Sequence, residues 1–198
     1  MTSTADIREN ALAFTSVAAL EAWLEEHHAD STGLWMKIAK QNSGVASVTV
    51  DEYTDALLCY GWITGQRRSC DEVYYLQRIT PRRPRSVWSL VNVEKVAALI
   101  ADGRMRAPGL AEVEAARADG RWEAAYPSQS RATAPADLAA ALAAALAADE
   151  AAGRFYEGLG RSDRYLVLVK LMTAPSPGVR AARLGRVVAA MAEGRKVT

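Results

Sequence analysis

The chain has 198 residues, half of them hydrophobic and 24% charged, and 24 Lys and Arg against 23 Asp and Glu leave a net charge of +1. That length carries one domain, or one domain with a helical appendage, and a core that needs neither disulfides nor a structural metal. The charge balance excludes a chain-wide nucleic-acid or membrane binder and leaves room only for a local patch.

Met1–Asn10 holds Asp6, Arg8 and Glu9 and no apolar stretch, so no signal peptide is expected there. Val17, Leu20 and Leu24 recur at helical spacing and predict a helix over about 16–28. Leu34–Ile38 reads as a strand, and Val45–Val48 as a short second strand pairing back after the turn residues Gln41–Gly44. Thr49 and Glu52 have capping-box spacing and open a helix that Gly61 ends.

Trp62–Arg67 and Val73–Ile79 predict two further strands, and Pro81 and Pro84 force an extended loop after them. Ser89 starts a helix to Ile100 with Val93, Val96, Ala97 and Ile100 inward, and Gly109–Asp119 is another helix. Pro127–Pro135 has linker composition. Beyond it the pattern is purely helical. Pro135 leads into a helix with Leu138, Leu142 and Leu146, Ser162 caps one to Met172, and Ser176-Pro177 opens one to Gly194. The expected fold class is α+β, with an N-terminal mixed domain holding a small antiparallel sheet and a C-terminal three-helix segment.

Chemistry-bearing residues are sparse. Cys59 and Cys70 are too few for a disulfide framework and read as reduced thiols of a cytoplasmic protein. His27 and His28 are adjacent, so they point about 100° apart on a helix and do not face one metal; no metal and no cofactor are expected. Cys59 reads as a core residue, and Asp51, Glu52, Asp55, Asp71 and Tyr60 are the acids or bases an enzyme would have to draw on. The run Leu138–Ala148 falls short of the roughly 20 residues that span a bilayer, so no membrane insertion is expected.

One stretch stands apart. Arg67, Arg68, Arg78, Arg82, Arg83 and Arg85 face only Asp71 and Glu72 between positions 67 and 85, with Trp62, Tyr74, Tyr75 and Trp88 interleaved or flanking. Guanidinium forks beside aromatic faces suit a small anion or an anionic protein surface. The alternative is architectural: arginines paired with Asp55, Glu94 and Asp102, and Trp88 as a core anchor. A hairpin of the two strands sets the start of the first beside the end of the second. Trp62, Arg78, Arg82, Arg83, Arg85 and Trp88 are therefore the expected ligand-binding set.

Ala56-Leu57-Leu58-Cys59-Tyr60-Gly61-Trp62-Ile63 and Thr80-Pro81-Arg82-Arg83-Pro84-Arg85-Ser86-Val87-Trp88-Ser89 resemble the YdeI/OmpD-associated (bacteriocin-protection) family. Gly103-Arg104-Met105, Gly109-Leu110, Asp119-Gly120-Arg121-Trp122 and the tail from Pro135 to Lys196 continue the likeness. The resemblance implies a YdeI-like domain over 1–127, a helical segment over 133–198, and a role in bacteriocin or stress protection. It implies no catalytic residues. The chain departs from the pattern at Thr64, Asp163 and Pro175, and at Val179 and Ala182, mostly with loss of polar groups. The leading expectation is thus a non-enzymatic binder of a small anion or anionic partner. A small enzyme acting on a planar carboxylate held by the same arginines is the alternative, and nucleic acid is the less expected partner.

Overall fold

The computed structural model describes residues 4–197. They form two units, the first made of residues up to Ser86 with Asn92–Trp122, the second of Val87–Val91 with the chain from Glu123 onward.

The first unit opens with α1 (Thr4–Asn10) and the two-residue strand β1 (Leu12–Ala13). Helix α2 (Val17–His27) follows, capped by Ser16 Oγ, which accepts from the Ala19 amide. Strand β2 (Leu34–Ala39) leads to α3 (Val50–Cys59), where Thr49 and Glu52 form the expected capping box. Strands β3 (Trp62–Ser69) and β4 (Tyr74–Pro81) form the hairpin, and α4 (Leu90–Ala101) and α5 (Ala107–Ala118) complete the helices.

The sheet order is β1-β2-β4-β3. β2, β4 and β3 are antiparallel neighbours, but β1 runs parallel to β2, so the sheet is mixed rather than antiparallel throughout. β1 takes the edge expected for Val45–Val48, which form no strand. Asn42 and Gly44 adopt φ of 68° and 73°, a left-handed turn that redirects the chain. Ser47 then meets the strand edge with a side chain, its Oγ accepting from the Ala39 amide at 3.1 Å.

Pleating divides the sheet into two faces. Pairs Met36–Gln77, Ile38–Tyr75, Arg67–Gln77 and Trp62–Pro81 lie on the face under α2 and α3. There Leu20, Leu24, Tyr53, Leu57, Met36 and Trp62 are all essentially inaccessible. Pairs Trp35–Arg78, Lys37–Leu76 and Arg68–Leu76 lie on the opposite face, where Ile7 and Ala11 of α1 pack with Leu76, Cys70, Trp35 and Tyr74. A bulge between Thr64 and Arg67 leaves Gly65 and Gln66 opposite Arg78. The buried Gln77 amide serves the carbonyls that the bulge strands, donating to Gly65 O at 3.0 Å and Gln66 O at 3.3 Å. Helix α4 buries Val96 and Leu99, whereas Ala97 and Ile100, expected inward, are exposed. Its inward pair is spaced i, i+3 and ends one residue before the expected Ile100.

Among the described residues the second unit has four helices where three were expected: α6 (Ala136–Ala148), α7 (Glu150–Glu157), α8 (Arg161–Met172) and α9 (Pro177–Ala192). The unexpected one, α7, is eight residues long, too short for a periodic run, although Asp149 Oδ1 caps it by accepting from the Ala152 amide at 3.0 Å. Ser176 caps α9 as expected. Ser162 does not cap α8; Gly160 holds that position, and Ser162 Oγ accepts from the side-chain Nε2 of Gln129 at 3.3 Å. Leu138, Leu142, Val167, Leu171, Val187 and Met191 form this unit's core. No strand occurs between Leu138 and Gly194.

Candidate functional site

The six arginines of the 67–85 stretch do not form one patch. Arg67 and Arg68 are sequential in a strand, so they leave on opposite faces. Arg67 stacks on Tyr75 at 4.3 Å and reaches Tyr53 Oη at 3.3 Å and Gln77 Oε1 at 3.2 Å. Burial pushes the Tyr53 phenol up to about 12, so that hydroxyl stays protonated through the physiological range. Arg68 stacks instead on Trp35 at 5.1 Å.

The expected convergence of Trp62 with Arg78 does not occur. Trp62 pairs with Pro81, three residues from Arg78, and three residues along a strand is the opposite face. The Trp62 ring is buried against Trp23, edge to face at 5.6 Å, with Nε1 donating to His28 O at 3.2 Å. Arg82 lies just past β4 and is buried, its amide donating to Gly61 O at 3.0 Å. Trp88 is buried as well, in the segment assigned to the second unit.

Arg83 and Arg85 are exposed on a turn. The Ser86 amide donates to Arg83 O at 2.9 Å, and Ser86 Oγ accepts from the Arg83 amide at 3.0 Å. Pro84 occupies the second position and Arg85 the third, with the left-handed φ of 69° that a type II turn requires. That conformation costs a non-glycine residue about 1–2 kcal/mol.

Of the expected set, Arg78 lines a cleft. It is half-buried beside a cleft of about 380 Å³ lined by Trp35, Leu34, Gly33, Ile7, Asn10 and Asp6. Nη2 makes one long bond to Thr32 O at 3.4 Å, and burial holds the guanidinium pKa below its usual value. Trp35 is its cross-strand neighbour, and Lys37 and Arg68 share the same face. Sequence reasoning missed Trp35 and Lys37. The signal was the alternation within Leu34–Ala39, which sets positions 35 and 37 opposite the buried Met36 and Ile38.

The acids considered for catalysis are engaged in structure. Lys95 Nζ lies 2.8 Å from Asp55 Oδ1 and 3.2 Å from Asp51 Oδ1, and Arg104 Nη1 lies 3.6 Å from Asp55 Oδ2. These partners come from α4 and the loop after it, not from the arginines of the hairpin. Glu52 is held below the usual carboxylate range by the Thr49 amide and hydroxyl, and Asp71 by the amides of Tyr74 and Val73. Tyr60 Oη donates to Glu25 Oε2 at 2.7 Å.

Cys59 is buried at the end of α3, and burial pushes its thiol up to about 11. A thiol in that state supplies no thiolate near neutrality. It also couples folding to alkaline pH. The unfolded thiol ionises near pH 9 and the folded one only near 11, so stability is intact below 9 and falls as pH rises between them. The slope from this group reaches about 1.4 kcal/mol per pH unit. Urea midpoints measured from pH 8 to 11 should fall less steeply for Cys59→Ala than for the wild type; parallel curves would refute the coupling.

Among the described residues no helix is long and apolar enough to cross a membrane, and no group of three or more His, Cys, Asp or Glu is arranged to hold a metal ion.

Residues 132–194 match the family model described as "Bacteriocin-protection, YdeI or OmpD-Associated". Residues 12–112 match a different model, a domain of unknown function (DUF8412), and the motifs at 56–63 and 80–89 lie inside that second match. No curated protein matches, and no solved structure matches. The DUF8412 match covers just over half of the chain. Residues 132–194 are thus similar to the bacteriocin-protection, YdeI or OmpD-associated family, and the protein as a whole belongs to the DUF8412 family.

Proposed function

We propose that the protein is a cytoplasmic binding protein of bacteriocin or stress protection, which takes a small anion, or an anionic group of a protein partner, on the α1-bearing face of its sheet. The observation that carries this reading is the position of Arg78. Its guanidinium borders a cleft, its cross-strand neighbour is the indole of Trp35, and Arg68 and Lys37 lie on the same face. These three cationic side chains share one face of the sheet, and the cleft beside Arg78 also holds the Asp6 carboxylate, so the face is net positive and suits an anion. The exposed Arg83 and Arg85 add charge on a Pro-stiffened turn. Two buried free cysteines suit a reducing compartment. Neither Cys59 nor the acids beside Lys95 and Arg104 offers an activated group, so binding is favoured over catalysis.

The test is a titration of inorganic phosphate and of benzoate against the whole protein, followed by thermal shift and by amide chemical shifts of β2 and β4. Arg78→Ala should weaken binding at this face about tenfold or more, the loss expected for one charge-assisted hydrogen bond. The melting temperature without anion should hardly move, because the bond of the Arg78 guanidinium to Thr32 O is long, at 3.4 Å. Equal affinity in the variant, or no response at β2 and β4 in the wild type, would overturn the reading.

A further inference from the structure

We infer that the second unit holds a binding site of its own, for a planar and partly apolar carboxylate, between α7 and α8. Arg161, Arg164, Tyr165 and Leu168 are spaced i, i+3, i+4 and i+7 along α8, which places them on one face of that helix. Together with Tyr156 and Leu159 they line a cavity of about 520 Å³, within the roughly 300–1,000 Å³ typical of small-molecule sites. The lining holds two guanidiniums and no carboxylate, so the cavity is net positive.

Arg164 is fixed rather than mobile. Its guanidinium lies over the Tyr156 ring at 5.3 Å and Nη2 donates to Glu157 O at 2.6 Å. Nε is buried and, among the described residues, has no hydrogen-bond partner. It is closed to solvent, so a ligand carboxylate meets Arg164 at the terminal nitrogens of its guanidinium, beside Arg161. Tyr165 Oη is already committed to Pro127 O at 2.9 Å, so its ring, with Leu159 and Leu168, offers apolar surface rather than a further polar contact. A carboxylate held by Arg161 and Arg164, with a ring against the Tyr and Leu walls, satisfies both halves of the lining. A bare inorganic anion would leave the apolar half unused.

The site shares no residue with the cleft at Arg78, and its test separates the two. Benzoate, its neutral isostere benzamide and inorganic phosphate are titrated against the whole protein, with amide chemical shifts followed at 129–132 and 156–168. Benzoate should shift these residues, benzamide should bind about tenfold more weakly or worse, and phosphate should not outbind benzoate. Arg164→Gln and the surface variant Arg161→Gln should each weaken benzoate about tenfold or more, while Arg78→Ala should leave this response unchanged. Arg161 is exposed, so that variant stays informative if Arg164→Gln unfolds. No shift at 129–132 and 156–168, equal binding of benzoate and benzamide, tighter binding of phosphate, or an unchanged affinity in Arg161→Gln would each overturn the inference.

Discussion

Gly109→Ala should destabilise the first unit by at least about 2 kcal/mol, although the same exchange in an ordinary helix interior stabilises by about 1 kcal/mol. Gly109 lies in the first turn of α5, where that helix abuts the end of α3. A Cβ there would stand 2.3 Å from Cys59 O and 2.6 Å from Leu58 O. Both neighbours are backbone atoms, so no side chain can swing aside; α5 has to retreat. The retreat would also strain the bond from the Arg106 amide to Cys59 O, 3.2 Å long here. Gly185 is the control. It sits within α9, is exposed, and an added Cβ would meet nothing within 4 Å, so Gly185→Ala should stabilise by about 0.5–1 kcal/mol. Urea denaturation of both variants checks the pair, and a stabilised Gly109→Ala would show that α3 and α5 do not approach this closely.

Local chemistry and long-range approach differ in the same way in how far the sequence shows them. Thr49 with Glu52, and Ser176 before Pro177, set helix starts through bonds spanning three residues, and such chemistry is legible directly. The hairpin of β3 and β4 was legible from its β-branched and aromatic runs. The two-residue β1 was not, because it owes its place to the edge of β2 and not to any propensity of Leu12–Ala13. Helices α1 and α7, of seven and eight residues, carry too few turns for a hydrophobic period to appear. The candidate site was legible as a charge count but not as a geometry. Counting arginines between 67 and 85 treats them as one patch, whereas pleating sends Arg67 to the α3 side and Arg68 and Arg78 to the α1 side. The pairing of Trp62 with Pro81 alone separates the indole from Arg78, whatever the side chains do.

The largest losses are expected at the two tryptophans of the sequence-based set. Trp62→Ala and Trp88→Ala should each cost about 3–5 kcal/mol, the range for emptying a buried aromatic site. Trp62 and Trp88 are each only 1% exposed. Trp62 also loses its bond to His28 O and its edge contact with Trp23, so two elements, α2 and β3, are uncoupled at once. Trp88 sits in Val87–Val91, the piece of chain that belongs with the second unit. Its carbonyl accepts from the Tyr126 amide at 3.0 Å, and Tyr126 O accepts in turn from the Leu90 amide at 2.8 Å, a short parallel bridge that ties this piece to the chain leading into α6. Hydrogen exchange separates the two losses: Trp62→Ala should expose amides of the sheet, and Trp88→Ala those of 87–91 and 123–127. Arg78→Ala, on the other face of the sheet, should leave both sets protected. If either tryptophan variant keeps wild-type stability and loses only its response to anions, that ring is a ligand contact, and its burial in the core carries little of the fold.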